Sequence, residues 1–237
     1  MKIIVDLFNQ HSGDIKELKR MALQAHLSGA DVVKLQLLNS KRIWGDDSRK
    51  HFELSKTQTE DIFKYCRDLG IEIMATVFDE EKLEWIDALG VETYKIASCT
   101  SKNEPKLCEE IISRGKSTLI STGFFDIDQF PYGFPHNVSY LFCVAEYPTY
   151  LYNEKLKKMP DFIYSKNLKK YIGFSDHTIG FAAALIAYFK GAEILEKHFT
   201  LTPNASNVIE KAHICSFTPE TLRQFKNLIR ELDVIKS

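Results

Sequence analysis

Two histidines, His177 and His198, stand at the ends of short apolar runs, and each has a polar residue two positions earlier, Ser175 or Glu196. Residues two apart on a β-strand share a face, so each pair would point to the same side of its strand. Imidazoles on neighbouring rigid strands suit a divalent transition metal that keeps open coordination positions. One strand histidine alone would be interpreted as a hydrogen-bonded core residue, but the two together predict a metal site.

Three lysines, Lys34, Lys95 and Lys197, also lie inside apolar runs. An unpaired buried ammonium is costly, so each must be paired or must reach a solvated opening. One interpretation is an anion site for a phosphate or carboxylate. Neutral donors that would complete such a site are Thr76, Ser98 and Ser175. A Schiff-base lysine is a second interpretation, and a structural salt bridge to Asp6 or Glu196 is a third.

Eight β-rich runs, separated by helical patterns, would position these residues. The predicted strands are Lys2–Phe8, Val32–Leu37, Glu72–Phe78, Thr93–Ser98, Ser117–Gly123, Val138–Ala145, Tyr171–Ser175 and Glu193–Thr200. The predicted helices are Asp14–Leu27, Thr57–Leu69, Glu80–Leu89, Lys102–Arg114, Phe181–Lys190 and Pro219–Val234. Strict alternation of strand and helix predicts right-handed crossovers and a parallel sheet.

Eight such units in 237 residues approach the length of about 250 residues that is typical of a (β/α)₈ barrel. The predicted fold class is therefore α/β, a TIM barrel formed by residues 1–237 as a single domain. A doubly wound open sheet is the alternative, but such sheets usually have fewer strands. No Gly-x-Gly-x-x-Gly motif follows the first strand, so a dinucleotide site is not predicted.

Polar residues lie at the carboxyl-terminal ends of all eight predicted strands. They are Asp6, Asn9–His11, Lys34, Gln36, Thr76, Lys95, Ser98, Ser121, Thr122, Glu146, Tyr147, Ser175–His177 and Glu196–His198. In a TIM barrel the active site lies at that end, so these residues are predicted to meet there. The long charged segment Asn39–Phe52 follows the second strand at the same end. We interpret it as a solvated crossover, with a lid as the alternative.

Composition excludes several classes of protein. The chain has 31 Lys and Arg against 32 Asp and Glu, a formal net charge of −1, which argues against a general nucleic-acid binder. No apolar run reaches the 18 or so residues of a transmembrane helix, and Asp6 comes too early for a signal peptide. Five cysteines without a Cys-x-x-Cys motif are typical of reduced thiols. A cytoplasmic protein without membrane or nucleic-acid partners is predicted.

Six segments, in order along the chain, resemble the N-acetylneuraminate (sialic acid) synthase family, which includes legionaminate and pseudaminate synthases. They are Asp31–Gln36 (DVVKLQ), Tyr94–Ser98 (YKIAS), Ile120–Gly123 (ISTG), Glu146–Thr149 (EYPT), Gly173–Thr178 (GFSDHT) and Glu196–Thr200 (EKHFT). The resemblance implies a TIM barrel that condenses phosphoenolpyruvate with an N-acetylated sugar aldehyde to form a sialic-acid-like nonulosonate, with C–O cleavage of phosphoenolpyruvate.

The resemblance also implies roles for particular residues. Those implied to bind substrate are Lys34, Gln36, Thr76, Ser98, Tyr147, Ser175, Glu196 and His213. Those implied to act in catalysis are Asp6, Lys95, His177 and His198. His177 and His198 would bind the divalent metal cofactor, Mn²⁺ or Mg²⁺, which assists the condensation.

The chain departs from the family pattern at Asp6, where Glu is usual, at Ala145 in place of Asn or Ser, and at Ala212 in place of Asp. We also expect it to lack the family's C-terminal antifreeze-like domain, so a separate chain would supply that cap, and we expect a homodimer. Two other functions stay open: a Schiff-base aldolase or lyase that uses Lys95 or Lys197, and a non-catalytic relative that only binds ligands or partners.

Overall fold

Eight parallel strands close into a barrel in the computed structural model, which describes residues 1–168, 170–202 and 211–236. The strands are β1 (Lys2–Asp6), β2 (Val32–Leu37), β3 (Glu72–Val77), β4 (Thr93–Ile96), β5 (Ser117–Ser121), β6 (Val138–Cys143), β7 (Tyr171–Asp176) and β8 (Ile194–His198). Each strand pairs with the next along the chain, and β8 pairs with β1. The predicted (β/α)₈ barrel is confirmed.

Helices cover the outside of this barrel. They are α1 (Ile15–Leu27), α2 (Ser40–Trp44), α3 (Lys56–Leu69), α4 (Glu80–Ala88), α5 (Ser98–Asn103), α6 (Pro105–Ser113), α7 (Glu154–Lys157), α8 (Phe162–Asn167), α9 (Ala182–Phe189) and α10 (Pro219–Lys236). No helix among the described residues meets the length and apolarity that a membrane span requires.

The prediction of strict alternation was wrong at one connection. The segment between Ser121 and Val138, every residue of which is described, contains no helix. The predicted helix Lys102–Arg114 was also wrong in its extent, because the chain forms α5 and α6 with a break at Glu104. Glu104 precedes Pro105, and a proline disfavours helical backbone in the residue before it.

An apolar cluster fills the inside of the barrel towards the amino-terminal ends of the strands. Its members are Ile4, Val32, Met74, Leu119 and Leu141, all 4% exposed or less. Full burial of each such side chain contributes about 1.5–3 kcal/mol. Because side chains alternate along a strand, the next inward residues lie above this cluster, at the carboxyl-terminal ends. The cluster therefore closes one end of the barrel and leaves polar residues at the other.

The loop Asn39–Phe52 is held against the outside of the barrel. Its amide at Ser40 donates to Glu53 Oε1 at 2.6 Å, and the Arg42 guanidinium contacts Glu80 and Glu104. Phe52 packs with apolar residues that follow β2 and β3. These contacts favour the interpretation as a crossover over that of a lid.

Candidate active site

A cavity opens at the carboxyl-terminal ends of the strands, and we call it the mouth cavity. It is lined by Asp6, Lys34, Gln36, Lys95, Ala97, Ser98, Ser121, Tyr147, Ser175, Asp176, His177, Glu196, Lys197 and His198. Strand pairing brings many of these residues together, since Asp6 lies beside both Lys34 and His198, and Ser175 lies beside Glu196. The mouth cavity lies where the sequence predicted it.

Two lysines and two carboxylates form a buried network at the base of the mouth cavity. Lys34 Nζ lies 2.6 Å from Asp6 Oδ2 and 3.2 Å from Glu196 Oε1. Glu196 Oε2 lies 3.4 Å from Lys95 Nζ. Lys95 also donates to Ser121 Oγ at 2.8 Å and to the Ile96 carbonyl oxygen at 2.9 Å. Glu196 therefore links the two ammonium groups.

The network shifts the pKa of each member in a definite direction. Burial alone would raise the pKa values of Asp6 and Glu196, but the ammonium of Lys34, joined at Glu196 by that of Lys95, holds both below their ordinary values. Burial would lower the pKa of Lys34, but the two carboxylates more than offset it, so that pKa is raised. Burial lowers the pKa of Lys95, and the attraction of Glu196 only partly offsets it. An anion bound beside Lys95 would therefore favour its charged form.

Gln36 and Thr76 support this network from β2 and β3. Gln36 Nε2 donates to Asp6 Oδ2 at 2.8 Å, and Thr76 Oγ1 accepts from Lys34 Nζ at 3.3 Å. Thr76 is 1% exposed and does not border the mouth cavity. Its hydroxyl is placed to hold Lys34 and not to reach a ligand directly.

The rings of His177 and His198 lie side by side, with centroids 5.6 Å apart and planes inclined by 30°. His177 Nδ1 lies 2.8 Å from the Val144 carbonyl oxygen. A carbonyl oxygen only accepts, so Nδ1 carries the hydrogen and Nε2 is the nitrogen left to bind a metal. His198 Nδ1 has no hydrogen-bond partner among the described residues, and it lies 3.7 Å from Asp6 Oδ2. Burial lowers the pKa of His198, which favours its neutral form.

Two imidazoles in this arrangement fit a divalent metal. The described residues contain no group of three or more His, Cys, Asp or Glu side chains placed to hold a metal. The histidines would therefore be two protein ligands of an open site, with the remaining positions left to water or substrate. Hydrogen bonding of His177 Nδ1 to a backbone carbonyl is the usual way in which a ligating imidazole is oriented.

Aromatic rings enclose the histidine pair. The Tyr147 ring lies 4.0 Å from the His177 ring, and Tyr147 itself is 41% exposed at the rim. Phe8 lies edge-on to His198 at 4.6 Å on the opposite side. Phe8 has a positive φ of 27°, which is costly for a bulky residue and occurs where the surroundings enforce it.

Ten of the twelve residues that the sequence assigned to the site border the mouth cavity, and Thr76 and His213 do not. His213 Nε2 lies 2.8 Å from Gln10 Nε2. The Phe8 ring lies close to both His213, at 5.7 Å, and His198. Ala212 packs with Phe8 and Cys215 in a small buried cluster. The structure thus places His213 behind Phe8 and not with the residues that line the mouth cavity.

Lys197 differs from the other two strand lysines. Its Nζ lies 2.8 Å from Asp176 Oδ2 and 5.5 Å from the Phe217 ring, in the layer between the barrel and α10. The backbone of Asp176 and Lys197 borders the mouth cavity, but their side chains point to the outer face of the barrel. All three strand lysines thus form salt bridges. Lys34 and Lys95 have the predicted partners Asp6 and Glu196, whereas Lys197 pairs with Asp176 instead.

Sequence reasoning placed Ser121 at the active-site end of the barrel without a specific role, and it gave no role to Phe8 or Cys143. Ser121 accepts from Lys95, and it lies two residues after inward-facing Leu119, as strand alternation requires. Cys143 Sγ lies 3.9 Å from His177 Nδ1. Neither the position of Cys143 nor that of Phe8 beside a histidine could be read from spacing, because both depend on packing between strands.

Comparisons with known proteins agree with this geometry. The model of the NeuB family matches residues 21–236. The chain is 28% identical to the N,N'-diacetyllegionaminic acid synthase of Legionella pneumophila over 98% of this chain and 72% of that protein. It is 28% identical to the human N-acetylneuraminate-9-phosphate synthase over 96% of this chain and 69% of that protein. Among solved structures, the sialic acid synthetase of Leptospira borgpetersenii superposes with a TM-score of 0.85 at 25% identity, over 99% of this chain and 84% of that one.

Proposed function

Because the chain belongs to the NeuB family, we propose that it condenses phosphoenolpyruvate with an N-acetylated sugar aldehyde to form a sialic-acid-like nonulosonate. One observation carries the proposal: two buried lysines and a pair of histidines line the same cavity. Lysines suit an anionic donor, and a histidine pair suits a metal that activates an aldehyde. The names of the curated relatives, which are synthases of N-acetylneuraminate 9-phosphate and diacetyllegionaminic acid, support the same class of reaction.

Phosphoenolpyruvate would bind at the base of the mouth cavity. Lys95, whose pKa burial lowers, gains most from an anion, and Lys34 lies on the other side of Glu196. Hydroxyl donors for the phosphate or carboxylate are Ser98, Ser121 and Ser175, all of which border the mouth cavity. Tyr147 would close the rim above the donor.

The charge balance supports a divalent cation, Mn²⁺ or Mg²⁺, at His177 and His198. Asp6 and Glu196 already balance Lys34 and Lys95, so the chain itself offers an anionic substrate little net positive charge. Once bound, a divalent cation supplies that charge and acts as a Lewis acid towards the aldehyde oxygen. The lowered pKa values of Asp6 and Glu196 keep both carboxylates ionised, which suits the holding of cations and not the removal of a proton from water.

The proposed reaction forms and breaks bonds in a defined order. The enol C3 forms a bond to the aldehyde carbon, and water adds at C2 while one of its protons converts the aldehyde oxygen to a hydroxyl. Phosphate then leaves with cleavage of its C–O bond and takes the remaining proton, which leaves a carbonyl at C2. Lys34 and Lys95 stabilise the negative charge of the departing phosphate. Asp6, held by Gln36 and Lys34, faces His198 and would orient the acceptor sugar beside it.

The experiment is a phosphate-release assay with phosphoenolpyruvate, Mn²⁺ and a panel of N-acetylated sugars. Sugar-dependent release of inorganic phosphate is expected. No release with any sugar, although Mn²⁺ binds, would contradict the proposal. The homodimer stays a prediction, which size-exclusion chromatography with light scattering tests. All five cysteines are unbonded, which supports the proposal that the protein works in a reducing compartment such as the cytoplasm.

Schiff-base chemistry is the second candidate, and the lowered pKa of Lys95 favours it. Borohydride treatment in the presence of a carbonyl substrate, followed by mass spectrometry, separates the two functions. An aldolase would leave a covalent adduct on Lys95, whereas a synthase would leave none.

A further inference from the structure

A buried ion pair lies behind the two histidines, on the outer face of β7 and β8. Lys197 Nζ donates to Asp176 Oδ2 at 2.8 Å and to the Thr178 carbonyl oxygen at 2.7 Å. Asp176 Oδ1 accepts the Thr178 amide at 2.7 Å. The side chains of Lys197 and Asp176 are both 0% exposed. No substrate can reach them, and the reaction proposed above gives them no task.

The two contacts of Lys197 bracket His177 along the chain. One is made to the residue before His177 and the other to the residue after it. Lys197 itself immediately precedes His198 on β8. The ammonium therefore ties the segment that carries one histidine to the strand that carries the other.

Backbone pairing alone does not make this connection. The paired residues of β7 and β8 end at Asp176 and Lys197, one position before the histidines. On the side of β6, the His177 carbonyl oxygen accepts the Thr149 amide at 2.8 Å. Towards β8, the segment that carries His177 is held by the two contacts of Lys197 with Asp176 and Thr178.

We propose that Lys197 and Asp176 are positioning residues, which hold His177 and His198 at the spacing that a divalent cation needs. The inference rests on the metal site of the proposed function. Residues that orient metal ligands from behind are worth about 10–100-fold in metal affinity. A tie that fixes the distance between two ligands on different strands should have an effect of the same order.

The test compares two double variants of the full chain, prepared without metal and titrated with Mn²⁺ while free Mn²⁺ is followed by electron paramagnetic resonance. Lys197→Met with Asp176→Asn removes the tie without leaving a buried charge unpaired. Lys82→Met with Asp79→Asn is the matched control. The Lys82–Asp79 pair has the same 2.8 Å separation and side chains 5% and 7% exposed, but it does not border the mouth cavity.

We expect the dissociation constant for Mn²⁺ to rise about 10–100-fold in the Lys197/Asp176 variant and to change less than about twofold in the control. A wild-type affinity in the first variant, or an equal loss in both, would overturn the inference. If the first variant does not fold, the single variant Asp176→Asn is measured instead, because it weakens one of the two contacts of Lys197. Its Mn²⁺ affinity should still fall. An unchanged affinity would overturn the inference. Wild-type protein that binds no Mn²⁺ would overturn the metal site of the proposed function as well, so the two failures are distinguishable.

Discussion

Lys34→Met is the substitution that most directly perturbs the base of the mouth cavity. It removes the ammonium that Asp6 and Glu196 share, at 2.6 Å and 3.2 Å, and keeps an unbranched chain of similar length. All three side chains are only 4–6% exposed. Two carboxylates would therefore stay buried without the cation that lies between them.

The expected loss of stability is large at neutral pH. Removal of one partner from a buried ion pair costs about 3–5 kcal/mol of unfolding free energy. For a chain of this size each kcal/mol lowers the melting temperature by about 2–4 °C, so a decrease of about 6–20 °C is expected at pH 7. Lys2→Met is the control, since the side chains of its pair with Glu72 are 45% and 44% exposed and such pairs contribute about 1 kcal/mol or less.

The loss should depend on pH in a defined direction. The folded-state pKa values of Asp6 and Glu196 lie below their ordinary values of 3.8 and 4.5. Their stabilisation is thus present above those values and is lost only as the pH falls through the lower folded-state pKa values. Without Lys34, burial instead favours protonation of Asp6 on folding, and Glu196 keeps only Lys95 as a cationic partner. The stability deficit of the variant should therefore shrink as the pH is lowered from 7 towards 4.5.

Urea unfolding of Lys34→Met and wild type at pH 7 and pH 4.5 measures this change. The reasoning would be refuted if the deficit were the same at both pH values, or if it did not exceed that of Lys2→Met.

Three further predictions follow from the site. His198→Ala should abolish measurable Mn²⁺ binding and lower sugar-dependent phosphate release by more than about 100-fold, since even residues that only support a metal ligand contribute about 10–100-fold to metal affinity or activity. Retained Mn²⁺ affinity would contradict the assignment of His198 as a ligand. Chelation with EDTA should stop phosphate release and added Mn²⁺ should restore it, and full activity of the chelated enzyme would be evidence against a metal. Gly123→Ala should raise the KM for phosphoenolpyruvate measured by initial rates, because its Cβ would lie 2.8 Å from Ala145 Cβ and 2.9 Å from Ser98 Oγ; an unchanged KM would count against Ser98 as a ligand.

Most strands could be predicted because their signal is local. β-rich apolar runs placed the start of β2 at Val32 and of β5 at Ser117, where the structure has them. The connection after Ser121 lacks a helix for an equally local reason, since Pro131, Gly133 and Pro135 lie within it and disfavour regular helix.

The site was predictable to the extent that it depends on alternation. Inward positions such as Lys34, Glu196 and His198 follow from spacing once a barrel is assumed. The pairing of Lys197 with Asp176 does not follow from spacing. It depends on the register between β7 and β8, which no single strand encodes. The position of His213 depends in the same way on how Phe8 packs beside His198.

The central claim is tested most directly by phosphoenolpyruvate that carries ¹⁸O in the oxygen bridging C2 and phosphorus. With Mn²⁺ and an accepted N-acetylated sugar, the account predicts that phosphate is released only when sugar is present and that it contains the ¹⁸O label. Phosphate without the label would mean cleavage of the P–O bond, and release independent of sugar would mean simple hydrolysis. Either result would contradict the account.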